Sequence, residues 1–227
     1  MSDREIEVDE LVKRYSGDVV AVDGVSFKVG AGQIFGFLGP NGAGKSTTIK
    51  ILTSLALPSS GRATVGGYDV VSQAAQVRRI MGVALQDIGL DPLMKSTELL
   101  TLQGQLFGAN AAEAKGRANE LLELVGLTDA VDRRVSTYSG GMRRRLDLAL
   151  ALVHQPEILF LDEPTTGLDP ASRRDLWAEV KRLNRTMGMT IFLTTQYLEE
   201  ADELADEVAI ISQGRIVSQG SPAKLKA

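Results

Sequence analysis

Apolar residues recur along this chain in two rhythms, and the change from one to the other marks its organisation. Residues 5–13 begin with polar and apolar positions alternating, the period of a half-buried strand, here expected near a sheet edge. Val25, Phe27 and Val29 alternate again, and Gly30-Ala31-Gly32 closes that segment before the apolar run Ile34-Phe35-Gly36-Phe37-Leu38. A helix over about 45–55 is broken by Pro58-Ser59-Ser60-Gly61, and Ala63-Thr64-Val65 ahead of Gly66-Gly67 predicts a strand entering a hairpin. Residues 73–79 suit a helix, and Ile80 to Leu85 a buried strand ending at Gln86. From Ser96 to Gly126 the spacing turns helical, with Leu99, Leu102, Leu106, Leu121, Leu124 and Val125, and no strand signal returns before Ile158. Strands are then predicted at Ile158 to Leu161, Thr190 to Thr195, Val208 to Ile211 and Arg215 to Ser218, with helices from near Pro170 to about Arg185 and from Glu199 to Ala205. Alternation of this kind predicts an α/β core with parallel strands. The expected division is one domain over 1–227, with its core in 1–87 and 158–227 and a helical subdomain inserted at 88–157.

Between the apolar run ending at Leu38 and the helix containing Thr48-Ile49-Lys50 stands Gly39-Pro40-Asn41-Gly42-Ala43-Gly44-Lys45-Ser46-Thr47. A strand, a glycine-rich turn and a helix start in that order form a phosphate cradle. The glycines let the backbone wrap a polyphosphate with its amides inward, the helix start adds free N–H groups, and Lys45 supplies a cation for the β- and γ-phosphates. Ser46 is the expected Mg²⁺ ligand and Thr47 a second phosphate contact.

Three further points carry chemistry. Asp162 ends the run Ile158-Leu159-Phe160-Leu161, so a carboxylate is held at a strand end where it can orient Mg²⁺. Glu163 beside it can accept a hydrogen bond from the water that attacks the γ-phosphorus, which makes it the candidate base. Gln86 can ligate Mg²⁺ or hold water where the helical insertion begins, or be no more than a strand-ending polar residue. Ser139-Gly140-Gly141 opens a helix running through Leu146, Leu150 and Val153, with the serine suited to the N-cap and the glycines leaving amides open. That is a second anion site without a lysine, and a head-to-tail dimer would explain it, each chain closing over the other's nucleotide.

Composition narrows the partners. The chain holds 25 basic and 29 acidic residues for a net charge of -4, so no direct contact with nucleic acid is expected. Arg143-Arg144-Arg145 reads as a solvated or salt-bridged helix face, and the sole histidine, His154, as a local cap or surface contact. There are no cysteines, which excludes disulfide and thiol chemistry and suits the cytosol. The acidic N-terminus does not read as a signal peptide, and no apolar run approaches the roughly 18 residues of a membrane span. Any membrane role is expected to come through a partner.

In their combination and order these motifs resemble the ATP-binding subunits of ABC transporters, over nearly the whole chain. The resemblance implies a P-loop NTPase (RecA-like) core with an N-terminal antiparallel β-subdomain and the helical insertion. It assigns Tyr15 to stacking on adenine, with a packing role as the plain alternative, Gly39 to Thr47 to the phosphate loop and Gln86 to the glutamine loop. It matches Tyr138-Ser139-Gly140-Gly141-Met142 to the signature, usually leucine-serine-glycine-glycine-glutamine, Asp162 and Glu163 to the catalytic acids, and Asp169 to a residue organising contacts across the dimer. Gln196 stands where many members have histidine; it can donate a hydrogen bond but cannot become cationic. The wording around Ser139 to Asp147 and Thr194 to Asp202 looks most like the daunorubicin-resistance and multidrug-export branch.

The expected function is therefore a Mg²⁺-dependent ATPase, with ATP and Mg²⁺ bound between subunits of a homodimer or heterodimer. It would energise a separate polytopic permease from the cytoplasmic face of the membrane and export drugs or other lipophilic compounds. A soluble ABC-type ATPase acting on translation or nucleic acid, and an ATP sensor with little turnover, are the competing readings.

Overall fold

The computed structural model describes residues 4–87 and 89–226. Strands β1 (Ile6–Arg14), β2 (Val20–Val29) and β3 (Ile34–Leu38) lead into helix α1 (Lys45–Leu52). The hairpin of β4 (Ser60–Val65) and β5 (Tyr68–Asp69) follows, then α2 (Ala74–Ile80) and β6 (Met81–Ala84). Next come α3 (Ser96–Leu106), α4 (Ala111–Leu124) and α5 (Gly140–Ala151). The remainder alternates as β7 (Ile158–Asp162), α6 (Pro170–Met187), β8 (Thr190–Thr195), α7 (Leu198–Leu204), β9 (Glu207–Ser212), β10 (Arg215–Gly220) and α8 (Pro222–Leu225).

The N-terminal alternation builds a four-stranded antiparallel sheet in the order β2-β1-β4-β5. Ile6, Val8 and Leu11 are buried between exposed Glu7, Asp9 and Glu10, and the pairing slips between Val8 and Leu11, where Glu10 has φ 45°. That slip is a bulge, which explains why the period-2 pattern breaks. β1 lies near the sheet edge, as its pattern predicts: only β2 stands outside it, and it pairs with β2 on one side and β4 on the other. Alternation reports one buried face and is blind to how many neighbours a strand has.

The second sheet has the order β10-β9-β3-β8-β7-β6, with β9, β3, β8, β7 and β6 parallel and β10 antiparallel on the end. Every residue of β3, β7 and β8 is buried, as strands covered on both faces require. Alternate side chains go to opposite faces. Phe35, Phe192 and Phe160 lie in register across β3, β8 and β7, and with Phe27 and Phe37 they pack under the small sheet and α1. Burying each such ring contributes roughly 2–3 kcal/mol before the entropy of ordering it. The other face carries Ile34, Leu159, Leu161, Ile191 and Leu193, which join one apolar cluster with Leu100, Leu121 and Leu146 of α3–α5 and Trp177 and Val180 of α6. Among the described residues no helix is long and apolar enough to cross a membrane.

This topology brings the C-terminal ends of β3, β7 and β8 to one edge. Leu38 is opposite Thr195 and Asp162 opposite Thr194, so the turns after three adjacent parallel strands meet where open α/β sheets hold their ligands.

Candidate functional site

The turn after β3 is shaped by close approach. Gly44 has φ 109°, and a Cβ there would lie 2.3 Å from the carbonyl oxygen of Ala21, so only glycine fits. The Gly39 amide donates to Thr195 O at 3.1 Å, which ties the loop to the end of β8. α1 begins at Lys45 with no side-chain cap, leaving its first amides facing the loop. Lys45 itself is 4% exposed. Its ammonium donates to Gly39 O at 2.7 Å and Pro40 O at 3.0 Å, and lies 3.1 Å from Glu163 Oε1.

Asp162 ends β7 and Glu163 follows it directly, and Thr194 of the neighbouring strand holds both. Its hydroxyl donates to Asp162 Oδ1 at 2.6 Å and accepts from the Glu163 amide at 3.1 Å. Ser46 Oγ also donates to Asp162 Oδ1, at 3.2 Å. Glu163 has φ 46°, in the left-handed region that a residue with a Cβ seldom occupies. Its Oε2 accepts from Thr166 Oγ1 at 3.2 Å, and its Oε1 faces Lys45. Both members of that ion pair are nearly fully buried, so the pair depends on the extra carbonyl and hydroxyl partners to offset desolvation.

A cavity of about 310 Å³ opens here, lined by Ala21, Asn41, Gly42, Gly44, Lys45, Ser46, Thr47, Gln86 and Glu163. Gln86 arrives from the end of β6, the strand at the opposite side of the sheet from β10, and is exposed at the rim. The residues around Ser46 fit a small hard cation: a hydroxyl and a carboxylate oxygen point at one place, a donor set that Mg²⁺ completes with phosphate oxygens and water.

The remaining candidates lie outside this cavity's lining. Tyr15 is 43% exposed, with the Lys13 ammonium 5.0 Å from its ring centre. Gln196 is half-buried, one residue past the end of β8. Ser139 caps α5 by accepting from the Met142 amide at 3.2 Å. Asp169 caps α6, and hydrogen bonds from the Ser172 hydroxyl and then from backbone amides hold its carboxyl below the ordinary range. The two helix starts adjoin: a Cβ on Gly141 would come 2.8 Å from Ser172 Oγ, whose hydroxyl donates to Asp169 at 2.6 Å. Tyr138 is 4% exposed, and its hydroxyl bonds to Ala130 O at 2.8 Å and Ser96 Oγ at 3.0 Å. A leucine there could not make those bonds.

Two site residues escaped the sequence reading. Thr194 had a usable signal, a polar side chain inside a fully buried strand. Arg144 had none: of the solvated or salt-bridged face expected of 143–145, Arg143 is exposed and Arg144 does pair with Asp147, but Arg144 is also buried against backbone carbonyls of other segments. His154, expected as a local cap or surface contact, is half-buried: its Nε2 lies 2.8 Å from Met81 O, its ring stacks on Phe107, and burial pushes its pKa down.

Residues 22–166 match the family model described as ABC transporter. The chain is 51% identical over 223 residues to the daunorubicin/doxorubicin resistance ATP-binding protein DrrA of Streptomyces peucetius, covering 98% of this chain and 67% of that protein. It is 44% identical over 216 residues to the linearmycin resistance ATP-binding protein LnrL of Bacillus subtilis, covering 95% and 69% respectively. Among solved structures, cbiO1 from Clostridium perfringens, part of the ABC transporter complex cbiONQ, superposes with a TM-score of 0.90 at 26% identity, over 99% of this chain and 91% of that one.

Proposed function

Since the chain belongs to the ABC transporter ATP-binding family, we propose that it is the Mg²⁺-dependent ATPase that powers an exporter of drugs or other lipophilic compounds, acting at the cytoplasmic face of the membrane through a separate membrane-spanning subunit. The convergence of Lys45, Ser46, Gln86, Asp162 and Glu163 from three separate segments at one end of the sheet carries this reading.

Loop 39–47 binds the polyphosphate of ATP through its amides and Lys45. Ser46 and Asp162 would hold Mg²⁺, with Gln86 at the rim; when bound, the ion neutralises phosphate charge. Glu163 accepts the proton as water attacks the γ-phosphorus and the bond to the β-phosphate oxygen breaks, releasing ADP and phosphate. The Lys45–Glu163 contact gives this an order: a γ-phosphate that takes the Lys45 ammonium releases the Glu163 carboxylate for water.

Ser139, Gly140 and Gly141 lie off the cavity in their own chain, adjoining the Asp169 cap. That separation favours a head-to-tail dimer in which the start of α5 closes over the partner's nucleotide. The names of the relatives, drug and linearmycin resistance proteins, favour an export role. The test has two arms. Purified protein should release phosphate from Mg-ATP, and gentle affinity capture from solubilised host membranes should recover a polytopic membrane protein at near-equal stoichiometry. Recovery of ribosomes or nucleic-acid proteins in its place would overturn the transporter reading, and absent turnover would leave an ATP sensor.

A further inference from the structure

Arg144 sits early in α5 and is 4% exposed. Its guanidinium reaches backbone carbonyls on two other segments. Nε donates to Pro164 O at 2.9 Å and Nη2 to Asp162 O at 3.0 Å, so the two bonds bracket Glu163. Nη1 donates to Leu85 O, the carbonyl just before Gln86, and to Asp147 Oδ2 at 3.1 Å. One side chain thus joins the helix that begins at Gly140, the segment carrying Gln86 and the turn carrying Glu163.

That turn needs support from outside itself. Holding a non-glycine residue at a φ such as that of Glu163, 46°, costs on the order of 1–3 kcal/mol and persists only when neighbours over-determine it. Thr194 fixes the Glu163 amide, and Arg144 fixes the carbonyls on either side. Arginine suits the task because its donors are spread in a rigid plane; a lysine ammonium is a single point on a flexible stem. Burial also disfavours the charge here, despite Asp147 nearby, so a residue serving packing alone would more cheaply be apolar.

We propose that Arg144 is a positioning residue, which couples the start of α5 and the Gln86 segment to the turn that aims Glu163. This rests on the reading of Glu163 as the base.

Arg144→Lys keeps the charge and loses the fork. Turnover at saturating Mg-ATP should fall about ten- to a hundredfold, the usual effect of a misplaced catalytic group. ATP affinity should stay within about threefold, a sign that only a transition-state contact was lost, because none of Arg144's bonding partners lies in loop 39–47. Asp147→Asn, which leaves the three carbonyl bonds in place, should keep turnover within about twofold. Undiminished turnover in Arg144→Lys, or loss of affinity in step with turnover, overturns the proposal. Should that variant not fold, hydrogen exchange of the wild type with a non-hydrolysed ATP analogue decides. Slowing of peptides around Leu85, Arg144 and Glu163 together supports the coupling, and slowing around Glu163 without Leu85 overturns it. An active Glu163→Gln removes both this inference and the assignment of the base, whereas full turnover in Arg144→Lys beside an inactive Glu163→Gln removes the inference alone.

Discussion

The Lys45 ammonium lies 3.1 Å from the Glu163 carboxylate, and both side chains are nearly fully buried. The group assigned to phosphate and the group assigned to water therefore begin in contact with each other, and substitutions at either should be felt by both binding and stability.

Glu163→Gln keeps the size of the side chain and removes its basicity. Phosphate release should fall by roughly 10²–10⁴-fold, the usual share of a general base, while ATP binding is retained. Light scattering at saturating Mg-ATP should then find a dimer. Near-normal steady-state turnover would count decisively against Glu163 as base, and a monomer under those conditions against the dimer.

Lys45→Met leaves the Glu163 carboxylate buried without its cation. Breaking a buried pair from one side costs about 3–5 kcal/mol, so urea unfolding should show a large loss. Adding Glu163→Gln should recover much of it, since the orphaned charge is then gone. A double variant as unstable as the sum of the two singles would mean that the pair contributes no coupling.

Asp147 supplies a pH dependence. Burial raises its carboxyl to about 6, with the Arg144 guanidinium pulling the other way. A group with a raised folded-state pKa contributes stability that is fully present below its ordinary value near 4 and is lost as pH rises through about 6. Relative to Asp147→Asn, the wild type should lose up to about 3 kcal/mol between those limits. Arg78, Asp87 and His154 line the same groove, so the comparison is made between the two proteins at each pH. A difference in unfolding free energy that is flat with pH would refute the shift.

Gly82 is where α5 rests on the large sheet. A Cβ there would stand 2.2 Å from the carbonyl oxygen of Ala151, a backbone atom that cannot turn aside. Gly82→Ala should destabilise by about 3 kcal/mol, as overpacking does, and should shift Arg144 relative to Leu85 and so reduce turnover as well. A melting temperature equal to that of the wild type would show that α5 can move away freely.

Local chemistry was readable from the residues in order. The phosphate loop could be seen because strand, glycine turn and helix are contiguous, and each obeys a rule of backbone sterics or periodicity that operates within a few residues. The same holds for Asp162 at the end of an apolar run and Ser139 at a helix start. What those rules omit is whatever lies across a sheet or between layers. That β1 stands one strand in from the edge, between β2 and β4, is not legible locally, because β4 follows some fifty positions later. Thr194 shows only its polarity within an apolar strand and Arg144 nothing, because their partners, Asp162, Glu163, Pro164 and Leu85, are distant in the chain.

The division follows from the range of the forces. Steric limits on glycine, side-chain period and helix caps act between near neighbours, so the sequence by itself determined the cradle at 39–47, the acids at the end of the run from Ile158 and the change to helical spacing after Gln86. The order of strands, and with it the meeting of Lys45, Asp162, Glu163 and Gln86 at one edge, depends on which apolar faces cover each other, as the Phe35, Phe192 and Phe160 row does across three strands. Burial of that kind is non-directional and sums over the whole chain. Only the tertiary structure could decide that the same packing carries an arginine of α5 to the carbonyls on both sides of Glu163.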